Sequence, residues 1–193
     1  MSCANTNADA VHYFVDGSCI GNGAGDPAER SAAYAVVKAF VPQSGPQFVE
    51  QHAEAIDRSL PQTNQYAELV AFQYAFTDIE TKHSGNKADQ QAGNPITIYS
   101  DSMYAINCIT TWGPLWKVQG WKRKARGSGG KPLEHIHIIA PLVDFWERHQ
   151  DHITITHIPA HQLAAQSRTY PYSGNALADK LARAKAQGTQ TDQ

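Results

Sequence analysis

The sequence predicts an α/β fold, a five-stranded mixed sheet flanked by helices. Three observations predict it. Three strand-like runs follow one another early in the chain with only hairpin-length connections between them. Beyond them, strand-like and helix-like segments alternate, the pattern of parallel crossover units. The 41% hydrophobic content of the 193 residues suits one well-buried domain and is short for two.

Each element has its own signal. Residues 1–9 are polar and read as a disordered tail. Residues 11–15 form an apolar run that ends on Asp16, the first strand. A Gly-rich connection leads to residues 32–40, rich in Ala and Val, and a Pro-flanked turn to residues 48–53. These separations permit an antiparallel meander. Thr63 or Asn64 caps a helix reaching residue 82, in which Leu69, Phe72, Phe76 and Ile79 recur at helical spacing.

After a polar connection, residues 96–100 form the fourth strand and residues 102–111 a short helix. Another helix opens at Lys131-Pro132, with Ile136, Ile139, Ala140, Val143 and Trp146 on one face. Pro141 inside it predicts a kink or a split, because proline lacks the N–H of the helical ladder. Residues 153–158 are the fifth strand, residues 175–187 the last helix. Residues 10–187 thus make one domain, and residues 188–193 a second disordered tail.

Composition narrows the function classes. No segment approaches the ~18 apolar residues of a membrane helix, and the N-terminus lacks the charged and apolar regions of a signal peptide. Cys3, Cys19 and Cys108 are odd in number and far apart. They predict a reducing, cytoplasmic setting, or a nucleus or mitochondrion in a eukaryote. The net charge of −2 argues against a nucleic-acid partner, but its distribution reverses that. Residues 102–133 hold no Asp or Glu, yet contain Lys117, Lys122, Arg123, Lys124, Arg126 and Lys131. Such a basic segment is the footprint of phosphate binding. Trp112, Trp116 and Trp121 are interleaved with it, and exposed rings suit packing on sugars or bases.

Four acids stand in distinctive settings: Asp16 in Phe14-Val15-Asp16-Gly17-Ser18, Glu68 in Thr63-Asn64-Gln65-Tyr66-Ala67-Glu68-Leu69, Asp101 in Tyr99-Ser100-Asp101-Ser102 and Asp179 in Gly174-Asn175-Ala176-Leu177-Ala178-Asp179. A desolvated carboxylate takes up a proton unless something positive joins it. Divalent cations would keep such a cluster ionised, and hard Mg²⁺ prefers oxygen ligands. No Walker-type loop and no zinc-spaced Cys/His cluster competes with this reading.

These four motifs, in this order, resemble type 1 ribonuclease H, and residues 109–112, 115–117 and 120–122 are similar to that family's basic handle. The match spans residues 11–186. The resemblance implies the ribonuclease H fold, with Asp16, Glu68, Asp101 and Asp179 as catalytic metal ligands. It implies two Mg²⁺ per site, with Mn²⁺ as the alternative, clamping a scissile phosphate. His161 matches a mobile histidine that assists proton transfer or product release. Its surroundings depart from the pattern: Ala160-His161-Gln162-Leu163 replaces a Gly-His-Ser/Ala-Gly turn, and the connection to Gly174 is longer.

By the same resemblance, Asn22, Asn64 and Gln65 reach the minor groove of an RNA–DNA hybrid, where 2′-hydroxyls mark one strand only. Thr63 matches a DNA-phosphate contact, Tyr104 and Trp112 aromatic positions along the DNA strand, and Trp116, Lys117, Trp121, Lys122, Arg123 and Lys124 the handle. Pro61 stands where the family often has an arginine. The expected function is a monomeric endoribonuclease cutting the RNA of RNA–DNA hybrids to 5′-phosphate and 3′-hydroxyl ends. The rivals are a catalytically silent hybrid-binding module and a nuclease of the same fold acting on another nucleic acid.

Overall fold

The computed structural model describes residues 9–83, 94–122, 133–160 and 168–188. Its sheet is built around β1 (Ala10–Ile20), which pairs antiparallel with β2 (Ser31–Val41) along its whole length. β2 pairs antiparallel with β3 (Gln47–Ala55). On its other side β1 pairs in parallel with β4 (Ile96–Ser100), and β4 with β5 (Ile153–His157), giving the order β3-β2-β1-β4-β5. The central strand is covered on both faces, and Tyr13, Phe14 and Val15 are buried. β1 runs beyond the expected end at Val15, because β2 keeps pairing with it as far as Ile20. Asp16 is therefore a mid-strand residue, not a strand end.

One face of the sheet carries α1 (Asn64–His83), whose Leu69, Phe72, Phe76 and Ile79 are all buried, as their spacing predicts. Each fully buried ring or branched chain of this kind contributes about 1.5–3 kcal/mol by leaving water. Thr63 caps the helix, its Oγ1 accepting the Tyr66 N–H at 3.1 Å. The opposite face carries α5 (Tyr172–Ala186), which begins earlier than expected and packs Ala178 with Phe14, Val37 and Ala39.

The short helix expected to end at residue 111 is longer. α2 (Met103–Asn107) passes through a π turn at Cys108–Trp112 into α3 (Gly113–Val118). Pro114 cannot feed a regular ladder, and a wide turn absorbs the missing N–H. Gly113 seats against the Cys108 carbonyl and the Val143 side chain, where a Cβ would not fit.

α4 (Ile136–His149) is neither split nor interrupted at Pro141, which lies exposed on its outer side and removes a single donor. Its buried residues are Ile138, Ile139, Leu142, Val143 and Phe145. Of the expected face, Ile139 and Val143 are buried, while Ile136, Ala140 and Trp146 flank it half-buried. Lys131 and Pro132 lie outside the described residues. Among the described residues no helix is long and apolar enough to cross a membrane.

Candidate active site

Strand register brings the first two acids together. The parallel ladder between β1 and β4 ends at the pair Phe14–Tyr99. Asp16 and Asp101 both lie two residues past that pair, so the same offset sets them side by side. Glu68 joins them because α1 lies directly on β1 at Gly17. A Cβ on Gly17 would sit 2.5 Å from the Ala67 carbonyl carbon and 2.9 Å from the Ala67 Cβ, so only glycine allows this approach. Carboxylate oxygens of Asp16, Glu68 and Asp101 then lie within 4.8 Å of one another.

Asp179 comes from the other face of the sheet. Gly174 lies against the Phe14 ring, 2.5 Å from its Cδ2 if a Cβ were added, and this seats the start of α5 over β1. Asp179 follows on that helix and lines the same open pocket of about 350 Å³ as the other three acids, with Ser18, Asn64, Asn175 and Arg183. It stands at the rim, outside the tight trio, half exposed and 3.7 Å from the Arg183 guanidinium.

The electrostatics follow from burial. Asp16 is 4% exposed and Glu68 9%. Burial pushes the Asp16 carboxyl well above the usual carboxylate range, and the charges of Asp101 and Asp179 push it further. The Gly17 amide and Arg183 pull it back by less. Glu68 is raised by burial first, then by Asp16 and Asp101, against the Gly17 amide. Glu68 Oε2 is buried with no hydrogen-bond partner, as is Asn175 Oδ1. An orphaned carboxylate oxygen among like charges needs either a proton or a cation. All-oxygen donors at this spacing fit a hard divalent cation such as Mg²⁺.

Next to the acids lies a polar edge. The Asn22 side-chain oxygen accepts the Asn64 N–H at 3.4 Å, tying the loop after β1 to the start of α1. Gln65 is exposed beside them. The preceding turn is fastened by Gln62, whose Oε1 accepts from the Ala32 N–H at 2.9 Å while its Nε2 donates to the carbonyls of Asp57 at 2.9 Å and Leu60 at 3.1 Å.

On the handle side, the Tyr104 and Trp112 rings meet edge to face at 6.3 Å, and Trp112 tilts against Trp116 at 6.0 Å. Trp112 is exposed, but Trp116 and Trp121 pack partly against the core, so they are not the free rings that the sequence suggests. Lys117 differs from expectation too. Its ammonium contacts Asp144 at 2.6 Å and Glu147 at 2.7 Å, acids that α4 brings back to a segment acid-free in sequence. Lys122 is exposed. Arg123, Lys124 and His161 lie outside the described residues.

Sequence reasoning missed Gly17, Asn175 and Arg183. The spacing of Arg183 four residues after Asp179, on one helix face, was the available signal.

The comparisons with known proteins agree with this geometry. A family model described as RNase H matches residues 8–187. Human ribonuclease H1 is 31% identical over 179 residues, covering 91% of this chain and 49% of that protein. Ribonuclease HI of Haemophilus influenzae is 30% identical over 142 residues, 72% of each chain. The solution structure of the PFV RNase H domain superposes with a TM-score of 0.68 at 25% identity, covering 97% of this chain and all of that one. The chain spans about half the length of the human and rat relatives it matches. With a matching model over nearly its whole length and the sheet order, motifs and carboxylate trio described above, this chain belongs to the RNase H family.

Proposed function

We propose that this protein is an endoribonuclease that hydrolyses the RNA strand of RNA–DNA hybrids, leaving 5′-phosphate and 3′-hydroxyl ends. The observation that carries the reading is the trio Asp16, Glu68 and Asp101, the first two buried and the third half-buried, in an open pocket beside the Asn22–Asn64 edge. Asp16, Glu68, Asp101 and Asp179 would hold divalent cations, two per site, Mg²⁺ or alternatively Mn²⁺. Such cations supply Lewis-acid stabilisation of charge on the attacking and leaving oxygens of a phosphodiester. The chain's own residues supply placement. Asn22, Asn64 and Gln65 read the minor groove, and Thr63 adds a DNA-phosphate contact to its helix cap. Tyr104 and Trp112 pack along the DNA strand, and the handle steers the duplex. The protein acts as a monomer in a reducing compartment.

The deciding experiment incubates the protein and Mg²⁺ with labelled hybrid, double-stranded RNA and double-stranded DNA. Cleavage of the hybrid's RNA strand alone is expected. Cleavage of another duplex would favour a different nuclease of this fold, and binding without any cleavage a hybrid-binding module.

Two expectations separate the parts. Replacing Lys122, Arg123 and Lys124 with Ala should flatten the salt dependence of hybrid binding by ~0.9 in log–log slope for each phosphate that is no longer neutralised. Turnover at saturating substrate should change little. Lys117 is already engaged by two acids, so an unchanged slope in the triple variant would move phosphate binding away from the handle. His161→Ala should lower turnover by ~10- to 100-fold, the scale of a general acid–base group, and leave affinity nearly intact. Steady-state kinetics on a hybrid check this; a collapse of affinity with normal turnover would make His161 a binding residue.

A further inference from the structure

We propose that Arg30 and Arg58 form one cationic site for a backbone phosphate of the bound duplex, away from the carboxylate pocket and beside the Asn22–Asn64 edge. The hybrid-nuclease reading above enters only as the identity of that duplex.

Strand register places the pair. β1 and β2 stay paired as far as Ile20 with Ser31, about 14 Å of strand beyond Asp16. Arg30 immediately precedes that last pair, and its Cα lies 3.6 Å from where a Cβ on Gly21 would sit. Asn22 follows Gly21 and accepts the Asn64 N–H, so Arg30 stands next to the polar edge. Arg58 comes from the turn after β3, and its Nη1 donates to the Arg30 carbonyl. Burial raises the Cys19 thiol, and the Ser31 amide, Arg30 and Arg58 pull it back, so both charges reach one point.

The chemistry around them fits anion binding better than fastening. Arg30 donates to the Ala24 carbonyl from Nε at 2.9 Å and from Nη2, which leaves N–H groups of its fork for another acceptor. Arg58 is exposed and gives the fold a single N–H. Two nearby acids face other partners: Asp26 accepts the Ala28 N–H at 2.8 Å, and Asp57 accepts from Ser59. Among the described residues neither guanidinium makes an ion pair, whereas Lys38, Lys82, Lys117 and Arg148 all do. Neutral donors suffice to fasten carbonyls, as Gln62 does close by. Two permanent charges are surplus to that task. Held side by side they repel, and an anion bridging them removes the repulsion. Guanidinium forks match phosphate oxygens, and carbonyls that orient the forks beforehand reduce the entropy lost on binding.

The test is binding of a hybrid across a salt titration, by the full chain carrying Asp101→Asn so that cleavage does not interfere. Adding Arg30→Gln with Arg58→Gln should weaken binding about tenfold at 0.1 M salt and flatten the log–log slope by ~0.9, as for one phosphate. Arg30→Lys with Arg58→Lys keeps the charge and should keep the slope. Arg148→Gln, in the last turn of α4 at the other end of the sheet, should change neither. The hybrid is then given one uncharged methylphosphonate linkage, moved a position at a time. At one position the neutral linkage should weaken the parent about tenfold and the double Gln variant not at all, the coupling of a direct contact. Thermal melts establish folding. If the double variant does not fold, Arg58→Gln alone carries the same scan, because that side chain gives the protein only one N–H.

Affinity within about twofold of the parent would overturn the proposal, as would a scan in which no position is coupled to the pair. A slope flattened as much by the Lys variant would do so too, since the pair would then only fasten the loop. A parent that prefers another duplex would overturn the hybrid reading alone, and the same scan on that duplex would judge the pair. A parent that binds no duplex would overturn both.

Discussion

Asp16→Asn and Asp101→Asn are each expected to abolish cleavage while leaving the protein folded. Removing one ligand from the trio should cost at least ~100-fold in rate, or several kcal/mol of barrier. The Asp16 variant should also differ from wild type in stability in a pH-dependent way. Folding raises the Asp16 carboxyl well above its ordinary 3.8, so the native state holds that proton more tightly than the unfolded chain. The stability linked to this group is fully present below the ordinary value and is lost as pH rises through the folded one. Wild type loses it progressively as pH rises above the ordinary carboxylate range, and Asp16→Asn, which cannot ionise, does not. The metal-free variant should therefore melt above wild type near neutrality, with the gap closing towards about pH 4. Mg²⁺ should reverse the order, because a ligand that binds only the native state stabilises wild type alone. Melting curves across pH, with and without Mg²⁺, check every part. A gap independent of pH would remove the electrostatic explanation, and near-normal cleavage by either variant would remove the site.

Gly17→Ala should be nearly as damaging, by a different route. The added methyl meets the Ala67 and Glu68 backbone, which cannot rotate away as a side chain can. Overpacking of this kind costs about 1–3 kcal/mol and is relieved only by lifting α1 off β1. That movement carries Glu68 away from Asp16 and Asp101, so cation affinity and cleavage should fall together with thermal stability. Gly174→Ala is the comparison, because its methyl meets the fully buried Phe14 ring on the opposite face of the sheet, so it should cost stability as well but leave Glu68 in place. Calorimetric Mg²⁺ titration and melting of both variants check the order. Wild-type cation affinity in Gly17→Ala would show that the close approach is not what sets the trio's spacing.

The element order was legible in the sequence because each signal was local. Thr63 announces its helix, and Leu69, Phe72, Phe76 and Ile79 name its buried side. The acids were legible as motifs, whereas their meeting was not, since it depends on the parallel register of β1 with β4 and on the missing side chain of Gly17. In two places a sequence neighbourhood differs from the spatial one. The acid-free handle segment has Asp144 and Glu147 against Lys117, supplied from α4. The apolar run before Asp16 looks like a complete strand until β2 is set beside it. Pro141 shows the converse, a local rule losing to context: a helix face turned to solvent tolerates one missing donor. Arg183 was overlooked because a basic residue in the last turns of a surface helix is the commonest thing to find there.

The Gln62 clasp has a thermodynamic consequence for recognition. Its amide group bonds to Ala32, Asp57 and Leu60, so the turn leading into Thr63, Asn64 and Gln65 is fixed by the fold itself. The entropy of ordering that turn is spent when the chain folds, and a duplex meeting it finds a rigid template. A cavity-neutral loss of the clasp, such as Gln62→Leu, would shift that ordering from folding to association. The encounter would then become slower and more temperature-sensitive, although no group touching the duplex had changed.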